Sequence, residues 1–190
     1  MKRNALLHQL VTHENTFDFI VIGGGATGLG IALDAITRGA SVALFEQDDF
    51  TKGTSSRSTK LVHGGVRYLA QGDVSLVLEA LRERGLLRKN ASHLVKNQSF
   101  LIPCYRWWEG AFYTIGLILY DLMAANLGFG RSFCIGPKRA VKTIPMLRKK
   151  GMKAGVIYHD GQFDDSRLAI NIAQTAVDAG ACVLNYMKVT

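Results

Sequence analysis

The pattern Gly23-x-Gly25-x-x-Gly28 constrains this chain more than any other feature. It sits between a short apolar run, residues 17–22, and a stretch of helical composition, residues 26–38, closed by Gly39. In that setting each glycine has a mechanical reason. The first permits a tight turn, the second lets main chain approach a diphosphate, and the third lets the helix pack closely on the strand. The helix then points its unpaired N–H groups and the positive end of its dipole at the phosphates, so no basic side chain is needed there. A second strand is expected over residues 41–45. Together these make a β-α-β unit of about 30 residues, and the right-handed crossover rule places its two strands parallel in one sheet. The expected fold class is α/β, with a doubly wound, mainly parallel sheet.

Glu46 stands at the end of the second strand, 18 residues beyond Gly28, where a carboxylate can accept hydrogen bonds from both hydroxyls of a ribose. An acid at that point repels a 2′-phosphate, which sets NADP aside and leaves NAD or the ADP half of FAD. The segment that follows separates these two. It runs Thr51-Lys52-Gly53-Thr54-Ser55-Ser56-Arg57-Ser58-Thr59-Lys60 and then Leu61-Val62-His63-Gly64-Gly65-Val66-Arg67-Tyr68. An NAD fold has no use for it. The Ser, Thr and Gly residues up to Lys60 offer short donors and exposed backbone N–H groups for a diphosphate and a ribityl chain, and Gly64 and Gly65 would admit a flat ring against the backbone. Without the glycine pattern upstream, the same loop would read as a solvent-exposed connector.

Beyond the loop, Val74, Val77, Leu78 and Leu81 mark the buried face of a helix whose other face carries Glu79, Arg82, Glu83 and Arg88. Strands are expected at 98–102 and 155–159, and a last helix at 166–178 precedes a strand at 181–186. Ala111 to Tyr120 is almost wholly apolar and Leu122 to Ala125 continues it past Asp121, which falls short of the roughly 20 apolar residues of a membrane span. It is either a core helix or, with Arg106, Trp107 and Trp108 at its start, a helix resting on a headgroup layer. The formal net charge of +8 favours an anionic partner, yet the basic residues are dispersed apart from Arg148, Lys149 and Lys150. No aromatic-interleaved basic stripe of the kind that binds nucleic acid is present. Cys104, Cys134 and Cys182 lack any metal-ligand spacing and read as reduced thiols of a cytoplasmic protein. Polar residues His8, Gln9, His13 and Glu14 interrupt what a secretory leader would need. Residues 1–15 therefore read as an extension ahead of a domain over 16–190.

Two stretches carry a family resemblance: Ile22-Gly23-Gly24-Gly25-Ala26-Thr27-Gly28-Leu29-Gly30 with Asp34, Arg38 and Gly39, and, more diagnostic, Thr54 through Leu69. In them the chain resembles the FAD-dependent glycerol-3-phosphate dehydrogenases and the related α-glycerophosphate oxidases. Weaker similarity continues through Tyr120-Asp121 and Asp164-Asp165-Ser166-Arg167-Leu168. The resemblance implies a Rossmann-like FAD-binding domain. Members of the family are much longer and this chain stops just after a strand, so the expectation is a domain truncated on its C-terminal side. It further implies that Gly23, Gly24, Gly25 and Gly28 hold the diphosphate and Glu46 the adenosine ribose. Thr54, Ser55, Ser58, Lys60, Leu61 and Val62 would hold the rest of FAD, with the backbone of Val189 on adenine. Arg67 and Tyr68 fall where the family binds the substrate phosphate, and a guanidinium fork suits a phosphate dianion. His63 is the candidate to take the proton of the substrate hydroxyl, against the alternative of a structural hydrogen bond to its own loop.

The implied reaction is oxidation of sn-glycerol 3-phosphate to dihydroxyacetone phosphate by hydride transfer to flavin N5. The resemblance implies quinone as acceptor, which fits a cytoplasmic enzyme in peripheral contact with the inner face of the cell membrane. An oxidase that uses oxygen and a truncated nucleotide-binding module without turnover stand as alternatives, and homo-oligomer formation is left open.

Overall fold

The computed structural model describes residues 2–12, 16–69 and 71–190, the side chain of Arg67 excepted. In chain order the elements are α1 (Arg3–Thr12), β1 (Phe19–Ile22), α2 (Ala26–Thr37), β2 (Val42–Phe45), β3 (Leu61–Val62), α3 (Val66–Leu69), α4 (Val74–Asn90), β4 (Lys96–Cys104), α5 (Glu109–Met123), β5 (Phe133–Ile135), α6 (Pro137–Thr143), β6 (Ala154–Gln162), α7 (Asp165–Asp178) and β7 (Cys182–Leu184). They form two units, Met1–Lys60 with Asp164–Thr190, and Leu61–Phe163.

The first unit holds a three-stranded parallel sheet in the order β1-β2-β7. Phe19 pairs with Val42 and Ile22 with Phe45, and Ala43 pairs with Cys182 on the other edge of β2. This is the parallel arrangement that the crossover rule demands of the β-α-β unit. Because strand side chains alternate between faces, Val42 and Leu44 point one way and Ala43 the other. On the first face Leu29, Ala32 and Ala35 of α2 share one buried cluster with Ala169, Ala173 and Ala176 of α7. Small side chains let the two helices and the sheet come close. On the opposite face Ala43, Cys182 and Leu184 pack with Leu6 of α1. Residues 3–12, within the segment expected as an extension, thus form a helix against this sheet, pinned by Arg3 Nη1 donating to the carbonyl and side-chain oxygens of Asn185 at 2.7 and 2.8 Å.

The second unit is built on an antiparallel sheet. The strands expected at 98–102 and 155–159 are the middles of β4 and β6, paired from Lys96↔Gln162 to Cys104↔Ala154. β3 and β5 share the other edge of β6, opposite Gln162–Gly161 and Ile157–Gly155. Cys104, Leu117 and Val156 join α5 to the sheet. Helix α4 is rotated from its expected orientation: Val77 and Leu81 are buried, but Val74 and Leu78 are 46% exposed, and Arg84 takes a place on the buried face at 2%. An arginine enters such a face only with a counter-charge, and it has one in Asp160, 2.6 Å away. Helix α5 leaves Phe112, Ile115, Leu119 and Leu122 exposed, and no described helix is long and apolar enough to cross a membrane.

Leu44 is fully buried between α2 and α7. Leu44→Ala should lower the unfolding free energy by about 2–5 kcal/mol, read as a drop in urea midpoint without a change in slope.

Candidate functional site: a glycine turn and a cavity lined by His63 and Asp160

The turn after β1 is built to keep side chains out. Gly23 has φ +112°, a conformation few residues other than glycine adopt, and its N–H donates to the Phe45 carbonyl at 2.8 Å. A Cβ on Gly28 would lie 2.0 Å from the carbonyl oxygen of Gly23, so α2 begins directly against the turn. Gly25 is the N-cap and has no side chain to offer. Its place is filled from the 51–60 loop, where the Ser55 hydroxyl accepts from the Ala26 N–H at 2.9 Å. Glu46 reaches across with one carboxylate oxygen accepting from Gly24 N–H at 2.7 Å and the other from Asp48 N–H at 2.9 Å. Each oxygen has a second lone-pair site for a ribose hydroxyl. Tyr186 and Met187 return beside this segment, their N–H groups donating to the carbonyls of Asp48 and Glu46 at 2.9 and 2.7 Å, and exposed Val189 follows.

The loop from Thr51 to Lys60 is held at both ends by residues in the left-handed region, buried Thr51 at φ +64° and Lys60 at φ +61°. Thr54 is exposed at the start of a single 3-10 turn, and Ser58 is exposed beyond it. Asp165, at the first turn of α7, organises the loop end. One of its oxygens accepts from the Ser58 hydroxyl at 2.5 Å and the other from Lys60 Nζ at 2.8 Å. Burial would push the Asp165 carboxyl up, but the hydrogen bonds from Lys60 and Ser58 prevail and hold it below the ordinary carboxylate value. Sequence reasoning included Asp165 in a resembling stretch without giving it a role.

Leu61 and Val62 form β3 of the second unit, and Leu61 borders a cavity of about 410 Å³ with His63, Gly65, Val66, Tyr68, Phe100, Tyr158 and Asp160. The rings of Phe100 and Tyr158 stack there at 5.2 Å. His63 Nδ1 accepts from the Gly65 N–H at 3.1 Å. In the neutral ring Nε2 then carries the proton, so His63 offers the cavity a donor as it stands. Gly64, expected to admit a flat ring, is filled from behind: a Cβ there would lie 2.5 Å from both the Tyr120 hydroxyl and a Leu81 methyl. Arg67 lies on α3, and its side chain falls outside the described residues. Asp160 borders this cavity and binds Arg84 and Tyr120 behind it; sequence reasoning included Tyr120 in a resembling stretch without giving it a role and did not single out Arg84 or Asp160. An arginine on an amphipathic helix reads as a surface residue, and nothing local in the sequence contradicts that.

A parallel sheet with a side-chain-free turn, a helix N-terminus behind it and an acid at the end of the second strand defines a dinucleotide-binding α/β protein. The donors present suit the ADP half of such a cofactor: bare backbone at the turn and a carboxylate beside it. The sequence profile of the FAD dependent oxidoreductase family (DAO) matches residues 18–190, and the chain belongs to that family. It is 47% identical over 190 residues to the mitochondrial glycerol-3-phosphate dehydrogenase of Homo sapiens, covering 95% of this chain and 26% of the relative. Against the mitochondrial glycerol-3-phosphate dehydrogenase of Saccharomyces cerevisiae it is 46% identical over 197 residues, covering 100% and 30%. The chain thus spans between a quarter and a third of the length of these curated relatives. Among solved structures, the Bacillus halodurans glycerol-3-phosphate dehydrogenase complexed with FAD superposes with a TM-score of 0.71 at 35% identity, over 100% of this chain and 30% of that one. The Mycoplasma pneumoniae L-α-glycerophosphate oxidase, at 15% identity and a TM-score of 0.65 over 93% and 46%, shares the fold.

The Asp165 contacts carry a pH dependence. A carboxyl held below its unfolded value adds stability that is full above the unfolded value, near 4, and is lost as pH falls through the folded one. Denaturant unfolding followed from pH 6 down to about 2 should therefore show a loss of stability at the acid end that is smaller in Asp165→Asn.

Proposed function

We propose that this chain supplies the FAD-binding part, and one wall of the substrate cavity, of an enzyme that oxidises sn-glycerol 3-phosphate to dihydroxyacetone phosphate. The observation that carries the reading is the exclusion of side chains from the turn by the Gly28 contact, joined to identities of 46–47% with glycerol-3-phosphate dehydrogenases. In this reading Gly23, Gly24, Gly25 and Gly28 take the diphosphate and Glu46 the ribose. Thr54, Ser55, Ser58, Lys60, Leu61 and Val62 take the remainder of FAD, and Val189 meets adenine through its backbone. When bound, FAD supplies a two-electron acceptor, at N5, for the hydride that leaves C2 of the substrate.

The residues of the chain hold and orient. Arg67 and Tyr68 grip the phosphate, a part of the substrate remote from the reacting carbon, so that its binding energy fixes C2. His63 faces the C2 hydroxyl. With Nδ1 engaged by Gly65, its Nε2–H donates to the hydroxyl oxygen; to take the hydroxyl proton the ring adopts the other neutral tautomer, with Nε2 bare toward the substrate, Nδ1 protonated and the Gly65 N–H released. Phe100 and Tyr158 line the apolar side of the cavity and limit water there.

Electrons pass to a quinone in a membrane on whose surface the enzyme rests. This acceptor is favoured over oxygen by the exposed apolar face of α5 and by the charge of the segment that follows. Between Asp121 and Asp160 there is no acid, while Arg131, Lys138, Arg139, Lys142, Arg148, Lys149, Lys150 and Lys153 are all basic. Apolar side chains flanked by cations suit an anionic lipid surface.

Two outcomes test these statements. Anaerobic addition of sn-glycerol 3-phosphate should bleach the yellow flavin-loaded enzyme, and Arg67→Ala should raise KM about tenfold to a hundredfold while FAD content is retained. A protein that refuses added flavin removes the whole reading, and an unchanged KM removes Arg67 from the site. Sedimentation with vesicles rich in anionic lipid should fall at least severalfold for Ile115→Glu combined with Leu122→Glu, and added quinone should reoxidise the bleached enzyme faster than air does.

A further inference from the structure

We propose, building on that reading, that Arg84, Tyr120 and Asp160 are positioning residues that fix the His63-Gly64-Gly65 turn at the wall of the substrate cavity. The Gly64 N–H donates to the Tyr120 hydroxyl at 2.8 Å, and that hydroxyl donates onward to Asp160 Oδ2 at 3.1 Å. Arg84 Nη1 donates to Asp160 Oδ1 at 2.6 Å and reaches the Tyr120 hydroxyl at 3.3 Å, while the Gly161 N–H holds Oδ1 from the other side at 3.1 Å. The guanidinium lies 4.6 Å from the centre of the Phe129 ring and 5.5 Å from that of Tyr120. Helix α4, helix α5 and strand β6 thereby converge on one backbone amide of the turn that carries His63.

Stability alone does not account for this arrangement. Two charges with side chains only 2% and 5% exposed lose much of their hydration, and a well-packed apolar cluster of the same volume would hold the unit as well or better. Only a directional network fixes where a glycine turn lies. Gly64 has no side chain to pack, and its neighbour Gly65 is at φ +69°. Burial first, and the charge of Asp160 with it, pushes the Tyr120 hydroxyl far above its ordinary value, so it keeps its proton at every working pH. Its single proton is committed to Asp160 and its lone pairs are left for Gly64 and Arg84, which gives the chain of bonds one polarity. Asp160 and Gly65 both border the cavity, so a shift of the network moves its wall.

The test uses Tyr120→Phe, which keeps the ring but removes the hydroxyl and its bonds to Gly64, Asp160 and Arg84, beside Val77→Ala, which trims the same buried cluster and leaves the network alone. In the flavin-loaded enzyme Tyr120→Phe should retain FAD, alter the shape of its visible absorption bands and lower kcat for sn-glycerol 3-phosphate about tenfold, the effect of one or two lost buried hydrogen bonds. Val77→Ala should lower thermal stability and leave bands and kcat as they were. Amide hydrogen exchange provides a readout independent of flavin: Gly64 should be strongly protected in the wild type and at least tenfold faster in Tyr120→Phe. Fast exchange at Gly64 in the wild type overturns the proposal even if Tyr120→Phe does not fold, and so do equal spectral and kinetic changes in the two variants. A wild type that glycerol 3-phosphate fails to reduce sinks the functional reading instead, and shows itself before any variant is made.

Discussion

The contact between the bare Cα of Gly28 and the carbonyl of Gly23 is the constraint from which the first unit follows. With a Cβ only 2.0 Å from that oxygen, no other residue can stand there, so α2 starts flush against the end of β1. Its first N–H groups consequently open onto the turn, where they lack intrahelical partners. Among the described residues, the side chain that caps them, Ser55, comes from a loop 29 residues away in sequence. Close packing continues along the helix, where alanines of α2 and α7 bury one another at 0–9% exposure. A chain with larger residues at these positions would push the helix off the sheet and the amides away from any phosphate.

Buried charge does in the loops what small residues do in the turn. Asp165 collects Ser58 and Lys60 and so sets the end of a loop whose last residue is already in the left-handed region. Asp160 collects Arg84 and Tyr120, and through them Gly64. Both are carboxylates with little exposure whose stability depends on full hydrogen bonding, since an unpaired ion in such a place costs several kcal/mol. Breaking one partner therefore displaces loop residues whose own side chains contribute little packing. The two carboxylates are five residues apart at the end of β6 and the start of α7, each within the unit it organises.

Helix α5 illustrates how an apolar sequence can be read in two ways. Its residues from Ala111 onward are nearly all hydrophobic, which a core helix and a surface-lying helix share. The structure buries Gly110, Leu117 and Tyr120 and leaves Phe112, Ile115, Leu119 and Leu122 outside. One face is therefore core, and the other is an apolar face at the surface of the unit.

By itself the sequence determined the parallel β-α-β unit, because glycine spacing, apolar runs and a terminal acid are local signals with local steric causes. It also located the boundaries of α2 and α7 to within a residue or two. It did not reveal that the strands near 100 and 157 would pair antiparallel in a second sheet, since pairing partners 58 residues apart leave no trace in either strand alone. Nor did it reveal that α4 would turn Arg84 inward and Val74 and Leu78 outward. Periodicity counts apolar residues, and the free energy of an ion pair with Asp160 on another element enters only when the chain has folded far enough to bring the two together.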